Sequence, residues 1–126
     1  MSFTNYAENK VMDVAFGETT WTAPTTHYLS LHTANPGETG ATGELSGNGY
    51  VRQSIGFTVT NNTATNTAVV EFPTATGSWG TITHIAIWDA ATSGNAIAYA
   101  ALTSSKAIAT GDVLRLPAGD LDITLD

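Results

Sequence analysis

Three histidines, eleven acidic side chains and three tryptophans carry most of the chemistry open to this chain. His27, His32 and His84 are the candidate metal ligands and general bases. Their spacing matches no helical two-histidine motif, and in an alternating strand His27 and His32 fall on opposite faces. They read instead as two surface histidines and one hydrogen-bonded core histidine. Asp112, Asp120, Asp122 and Asp126 cluster late in the chain. Calcium needs several oxygens converging in a loop, whereas Asp120, Asp122 and Asp126 repeat at period two and need not converge. A solvated strand face that also discourages edge pairing suits them better. No serine sits in a Gly-x-Ser-x-Gly elbow, and Gly47-Asn48-Gly49 precedes a strand rather than a helix, so it is no dinucleotide loop. Glu71 and Asp89 would be the pair for a glycosidase, but nothing sets them apart from surface charges. Trp21, Trp79 and Trp88 suit either stacking on a sugar or a protein partner, or anchoring the core. We therefore expect no catalytic residue, no metal ligand and no cofactor, and read the chain as a non-enzyme.

Composition narrows the partners. The 126 residues fit one domain, 1–126. Charged residues make up only 12%, and Asp+Glu outnumber Lys+Arg by 11 to 4, for a formal net charge of −7. The four cations, Lys10, Arg52, Lys106 and Arg115, are scattered. A nucleic-acid groove needs them clustered, and an anionic membrane attracts a basic patch, so neither partner is expected. Without cysteine there is no disulfide scaffold, thiol nucleophile or thiolate zinc site. No run of about 18 apolar residues spans a membrane. Residues 1–5 lack the basic and apolar segments of a secretory signal, which implies assembly in the cytoplasm of the producing cell.

The elements that must position these residues follow from periodicity. Tyr6, Ala7, Lys10, Val11, Val14 and Ala15 recur at helical spacing, so 4–16 is the one expected helix, capped by Thr4 or Asn5 and stopped by Gly17. From residue 20 onwards the period is two, and 20–126 reads as a β domain. Strands are expected at 27–33, 50–60, 67–72, 82–88, 96–102, 106–109, 113–116 and 121–125. The segment 82–88 is apolar on both faces except for His84, which marks it as the central strand. Gly56 suggests a bulge or a close approach, and Ser104-Ser105-Lys106 a turn. Residues 34–49, rich in glycine and proline, read as a long surface loop of the kind that is usually functional or mobile. The result is a mainly β fold: an antiparallel β-sandwich or jelly-roll-like domain of about seven or eight strands with one N-terminal helix.

One stretch carries a resemblance. Phe72-Pro73-Thr74-Ala75-Thr76-Gly77-Ser78-Trp79-Gly80-Thr81-Ile82-Thr83-His84-Ile85-Ala86-Ile87-Trp88-Asp89-Ala90-Ala91 is followed by Tyr99-Ala100-Ala101-Leu102-Thr103-Ser104-Ser105-Lys106 and by Pro117-Ala118-Gly119-Asp120-Leu121. Asn5-Tyr6-Ala7-Glu8-Asn9 and Gly47-Asn48-Gly49-Tyr50-Val51-Arg52 belong to the same pattern. Together these resemble small bacteriophage virion proteins, commonly labelled tail fibre proteins. The resemblance implies a structural role in the virion and no catalytic residues.

Two positions on a particle follow from that reading. The first is a tail-associated fibre or baseplate component, a symmetric oligomer and most naturally a homotrimer. The second is a capsid decoration (cement) protein that bridges major capsid subunits. The rival class is an enzyme, such as a small glycan-degrading domain, and a free-standing sugar-binding module is a further possibility. Tyr6, Lys10, Val11 and Val14 are the candidate assembly interface, contacting another copy or another virion protein. Glu38, Glu44, Leu45 and Trp79 are expected on exposed loops, where they could meet a host surface glycan.

Overall fold

The computed structural model describes residues 1–125. It is mainly β, with ten short strands and one helix: β1 (Ser2–Phe3), α1 (Asn5–Phe16), β2 (His27–His32), β3 (Gln53–Ile55), β4 (Phe57–Thr60), β5 (Thr63–Asn66), β6 (Val70–Glu71), β7 (Gly80–Trp88), β8 (Ala96–Ile108), β9 (Arg115–Leu116) and β10 (Asp122–Thr124). The main sheet has the order β1-β8-β7-β2-β3, so the strand expected to be central is central. A three-stranded sheet, β10-β5-β4, and a two-stranded one, β6-β9, accompany it, and every pairing is antiparallel.

The helix begins where its cap places it. Thr4 is extended and its hydroxyl accepts from the Ala7 amide, and Gly17 closes the last turn with a bond to the Asp13 carbonyl. The segment 50–60 is not one strand. Gly56 separates β3, in the main sheet, from β4, in the second sheet. The polar strand β5 has no apolar alternation to announce it. Ser104-Ser105-Lys106 does not turn the chain. Ile82 pairs with Lys106 and His84 with Ala101, so two steps along β7 match five along β8. The three surplus residues swell into a wide bulge, and β8 runs on. Asp126 lies outside the described residues.

The main sheet buries both faces, for different reasons. On one face Leu29, Leu31, Ile55, Ile85 and Ile87 meet Val70, Phe72, Trp79, Leu114 and Leu121 from the other sheets and loops. Each such side chain contributes about 1.5–3 kcal/mol by leaving water, which makes this the principal core. On the other face Ala86, Trp88 and Ala96 form a smaller cluster with Tyr28 and Tyr99 at its margin. No second sheet covers this face. Loop 34–49 and the first turn of α1 do.

Candidate functional site

Two features on that second face are candidates for function: the helix and the loop. The helix is seated by its first turn alone. The Thr4 hydroxyl donates to the Ala96 carbonyl (2.6 Å) and the Thr4 amide to that of Ile97 (2.9 Å). Glu38 reaches across from the loop: one carboxylate oxygen accepts from the Asn5 amide (2.8 Å), the other from the Tyr99 hydroxyl (2.7 Å). An anion at the positive end of a helix is favourable in itself. That hydrogen bond also pushes the Tyr99 hydroxyl above its ordinary range.

Beyond Ala7, the only buried helical residue, α1 leaves the body. Of the four expected interface residues, Tyr6 and Lys10 face their own chain. Tyr6 meets Trp21 edge-on at 6.4 Å, and the Lys10 ammonium lies 5.7 Å from the centre of the Tyr6 ring. Val11 is half-buried, and Val14 is 50% exposed. Sequence reasoning missed Met12, 56% exposed, and Phe16, 79% exposed. These two sit one turn apart on one side of the helix, with Val14 round the other side. The side chains of the last turn are therefore all exposed.

The loop behaves in the opposite way. Glu44 and Arg52 pair at 2.8 Å through two parallel contacts, Nε to one carboxylate oxygen and Nη2 to the other. The Arg52 guanidinium carbon lies over Trp88, 3.8 Å from the ring centre, and Nη1 donates to the carbonyls of Ala90 and Ser93. The Tyr50 hydroxyl donates to Glu44 and accepts from the Leu31 amide. Burial pushes the Glu44 carboxyl up, but the hydrogen bonds from Arg52 and Tyr50 more than reverse this and hold it below its ordinary value. Burial drives the Tyr50 phenol well above its usual range.

Beneath the loop lies the buried histidine, His32. Its Nδ1 is 2.8 Å from the Thr42 carbonyl, which can only accept, so Nδ1 carries the proton. Nε2 then accepts from the Ser30 hydroxyl at 2.7 Å, and Ser30 in turn accepts from the Trp88 indole N–H at 2.8 Å. Burial lowers the His32 pKa, so the neutral ring this chain of bonds requires is the favoured form. A serine hydroxyl on a histidine nitrogen is the arrangement of an activated nucleophile. Here both side chains are sealed from solvent by the loop, with no path for a substrate, and the bonds fasten loop to sheet. His27 and His84 are half-buried, and among the described residues no three His, Asp or Glu side chains converge as a metal site would need.

Three of the four residues expected on exposed loops must be reassigned. Trp79 is 5% exposed and packs against Tyr50 and Phe72, its indole N–H donating to the Asn48 carbonyl at 2.8 Å. Its flanking glycines gave the look of a loop tip, but the ring turns inward. Leu45 is half-buried against the principal core, and Glu44 is held by Arg52 and Tyr50. Only Glu38 is exposed, and it serves the helix. Tyr50, Arg52, Ser30 and Trp88 were missed. The one signal for them was an arginine inside an otherwise apolar or hydroxylic strand pattern.

Among the described residues no helix is long and apolar enough to cross a membrane. No curated protein matches the chain. A family model does, that of the podophage GP4 fiber I protein gp80, over residues 2–124. Nearly the whole of the described structure lies within that match, and the chain belongs to this family of phage fibre proteins.

Proposed function

We propose that this fibre-family protein is a tail-associated structural component of the virion that assembles as a symmetric oligomer, most naturally a homotrimer, through its outboard helix. The observation that carries the reading is the apolar surface α1 keeps in water: Met12, Val14 and Phe16, each at least half exposed towards the end of the helix. Exposed apolar side chains on an ordered element are typical of an interface awaiting its partner. Two further observations support a role in assembly over catalysis or sugar binding. The Ser30–His32 pair is sealed from substrate. Of the three tryptophans a glycan could stack on, Trp79 and Trp88 are buried and Trp21 is half-buried against Tyr6.

Quantitative mass spectrometry of purified virions tests the position. The expected result is this chain in the particle at a copy number far below that of the major capsid protein, as a tail symmetry dictates. A ratio near one to one would overturn the tail assignment in favour of capsid decoration. Absence from the particle would overturn the structural role altogether.

A further inference from the structure

We propose that residues 1–16 are an exchanged arm, seated in the assembled protein on the body of a second copy of this chain. The proposal rests on the oligomeric reading above and says how the copies are held together.

The arm is a separable unit. Its hydrogen-bonded attachments are the pairing of Ser2 with Tyr99 and Phe3 with Ala98, the two bonds from Thr4 to the carbonyls of Ala96 and Ile97, and the bond from the Asn5 amide to Glu38; Met1 and Ala7 add apolar contact. Every receiving group lies on β8 or in loop 34–49, at least 33 residues away in sequence. None requires that the arm come from the same chain. The seat on a neighbouring copy is identical, so exchange conserves each of these contacts.

The hinge favours opening. Directly after the helix, Glu18 is held at φ 56°, in the left-handed region that a residue with a side chain seldom adopts. It is kept there by the Gly17 and Thr19 amides, which both donate to the Asp13 carbonyl. In this closed form the chain doubles back so that Trp21 returns to Tyr6. An open hinge lets residue 18 relax to an extended conformation and releases that local strain. Reach is sufficient. The ten residues 17–26 contain no helix or strand and extend to about 33 Å, against about 18 Å for the 12-residue helix they must pass.

The chain has no cysteine of its own, so an introduced pair reports where the arm sits. Ser2 and Tyr99 are direct partners across β1 and β8, and antiparallel partners lie about 4.5–5.5 Å apart at Cα, within disulfide reach. The full chain carrying Ser2→Cys and Tyr99→Cys is oxidised and run on non-reducing gels, with light scattering giving its mass in solution. Single variants, Ser2→Cys and Tyr99→Cys, are also refolded together. The expected result is covalent dimers and higher species from the double variant, and a covalent heterodimer from the mixture. Adding Glu18→Gly, which removes the strain from the closed hinge, is expected to cut the intermolecular fraction about fivefold or more. Only intramolecular disulfides in a protein that scatters as an oligomer would overturn the exchange and leave the oligomer standing. The same gels from a monomer would overturn both. Phe3→Cys with Ala98→Cys is the second pair; no disulfide from either pair would show that β1 does not sit on β8 of any copy.

Discussion

Loop 34–49 and helix α1 cover the same face of the main sheet, and they are integrated in opposite ways. Almost every residue of the helix has its regular backbone hydrogen bonds, yet only Ala7 is buried. The loop has one isolated bridge, between His32 and Glu44, and is fastened throughout. Its backbone bonds run from Thr33 to Gly43, from Leu45 to Leu31 and from Thr76 to Asn48, the Thr42 carbonyl accepts from His32, and the Glu44 side chain engages Arg52 and Tyr50. Gly40 lets it lie flat: its φ is +72°, and a side chain there would collide with Ala96 and the Trp88 ring. Regular secondary structure is thus a poor guide to how firmly a segment is held. What counts is how many of its groups are satisfied by the rest of the fold.

The contrast breaks most visibly at Arg52. Its side chain is 7% exposed and its Glu44 partner 20%. Removing one member of a buried pair leaves the other charge without compensation, at a cost of about 3–5 kcal/mol. Arg52→Ala is expected to lower the urea midpoint sharply, whereas Arg115→Ala, which breaks the exposed pair with Glu71, is expected to cost less than about 0.5 kcal/mol. Equal effects from the two variants would mean that the loop is not held by its ion pair.

Acid tests the same network. The folded pKa of His32 is below its unfolded value of 6.5, because burial disfavours the imidazolium. The unfolded chain therefore takes up protons first as pH falls, and stability declines from about pH 7 downwards. Glu44, also lowered, adds a further loss as pH falls through the carboxylate range. A second proton on His32 would displace the Ser30 bond at Nε2. His27 is lowered by burial as well, so urea titrations from pH 8 to pH 5 are best read on a His27→Asn background. We expect a falling midpoint there; a flat profile would remove His32 from the network.

The helix should give the smallest effect on stability and the largest on assembly. Phe16 has few contacts to lose, so Phe16→Ser is expected to move the urea midpoint by no more than about 0.5 kcal/mol equivalent. Sedimentation of the same variant should show a smaller oligomer than the parent chain. A large loss of stability with unchanged mass would mean that the helix is folded into its own body after all.

Much of the fold was legible because it is written locally. Thr4, the 3.6-residue stripe and Gly17 mark out α1, and the two-sided apolar run at 82–88 identifies the middle of the sheet. Polar β5 and the bulge at 102–105 were not legible. A strand of Thr-Ala-Thr-Asn and a serine pair inside β8 are strands only because a partner lies alongside. The network around Arg52 was out of reach for a related reason. Its members come from residues 30–52 and 88–93, and no short-range pattern links them.

The residues by themselves therefore determined the class of the protein: mainly antiparallel β with a capped N-terminal helix, and the pattern of a phage fibre family. Tertiary structure alone decided which side chains are available. It turned Trp79 inward, sealed His32 under a loop and left Phe16 in water. The physical reason is that periodicity reports which way a side chain leaves its own backbone, whereas burial depends on what stands opposite, and that is supplied by distant parts of the chain.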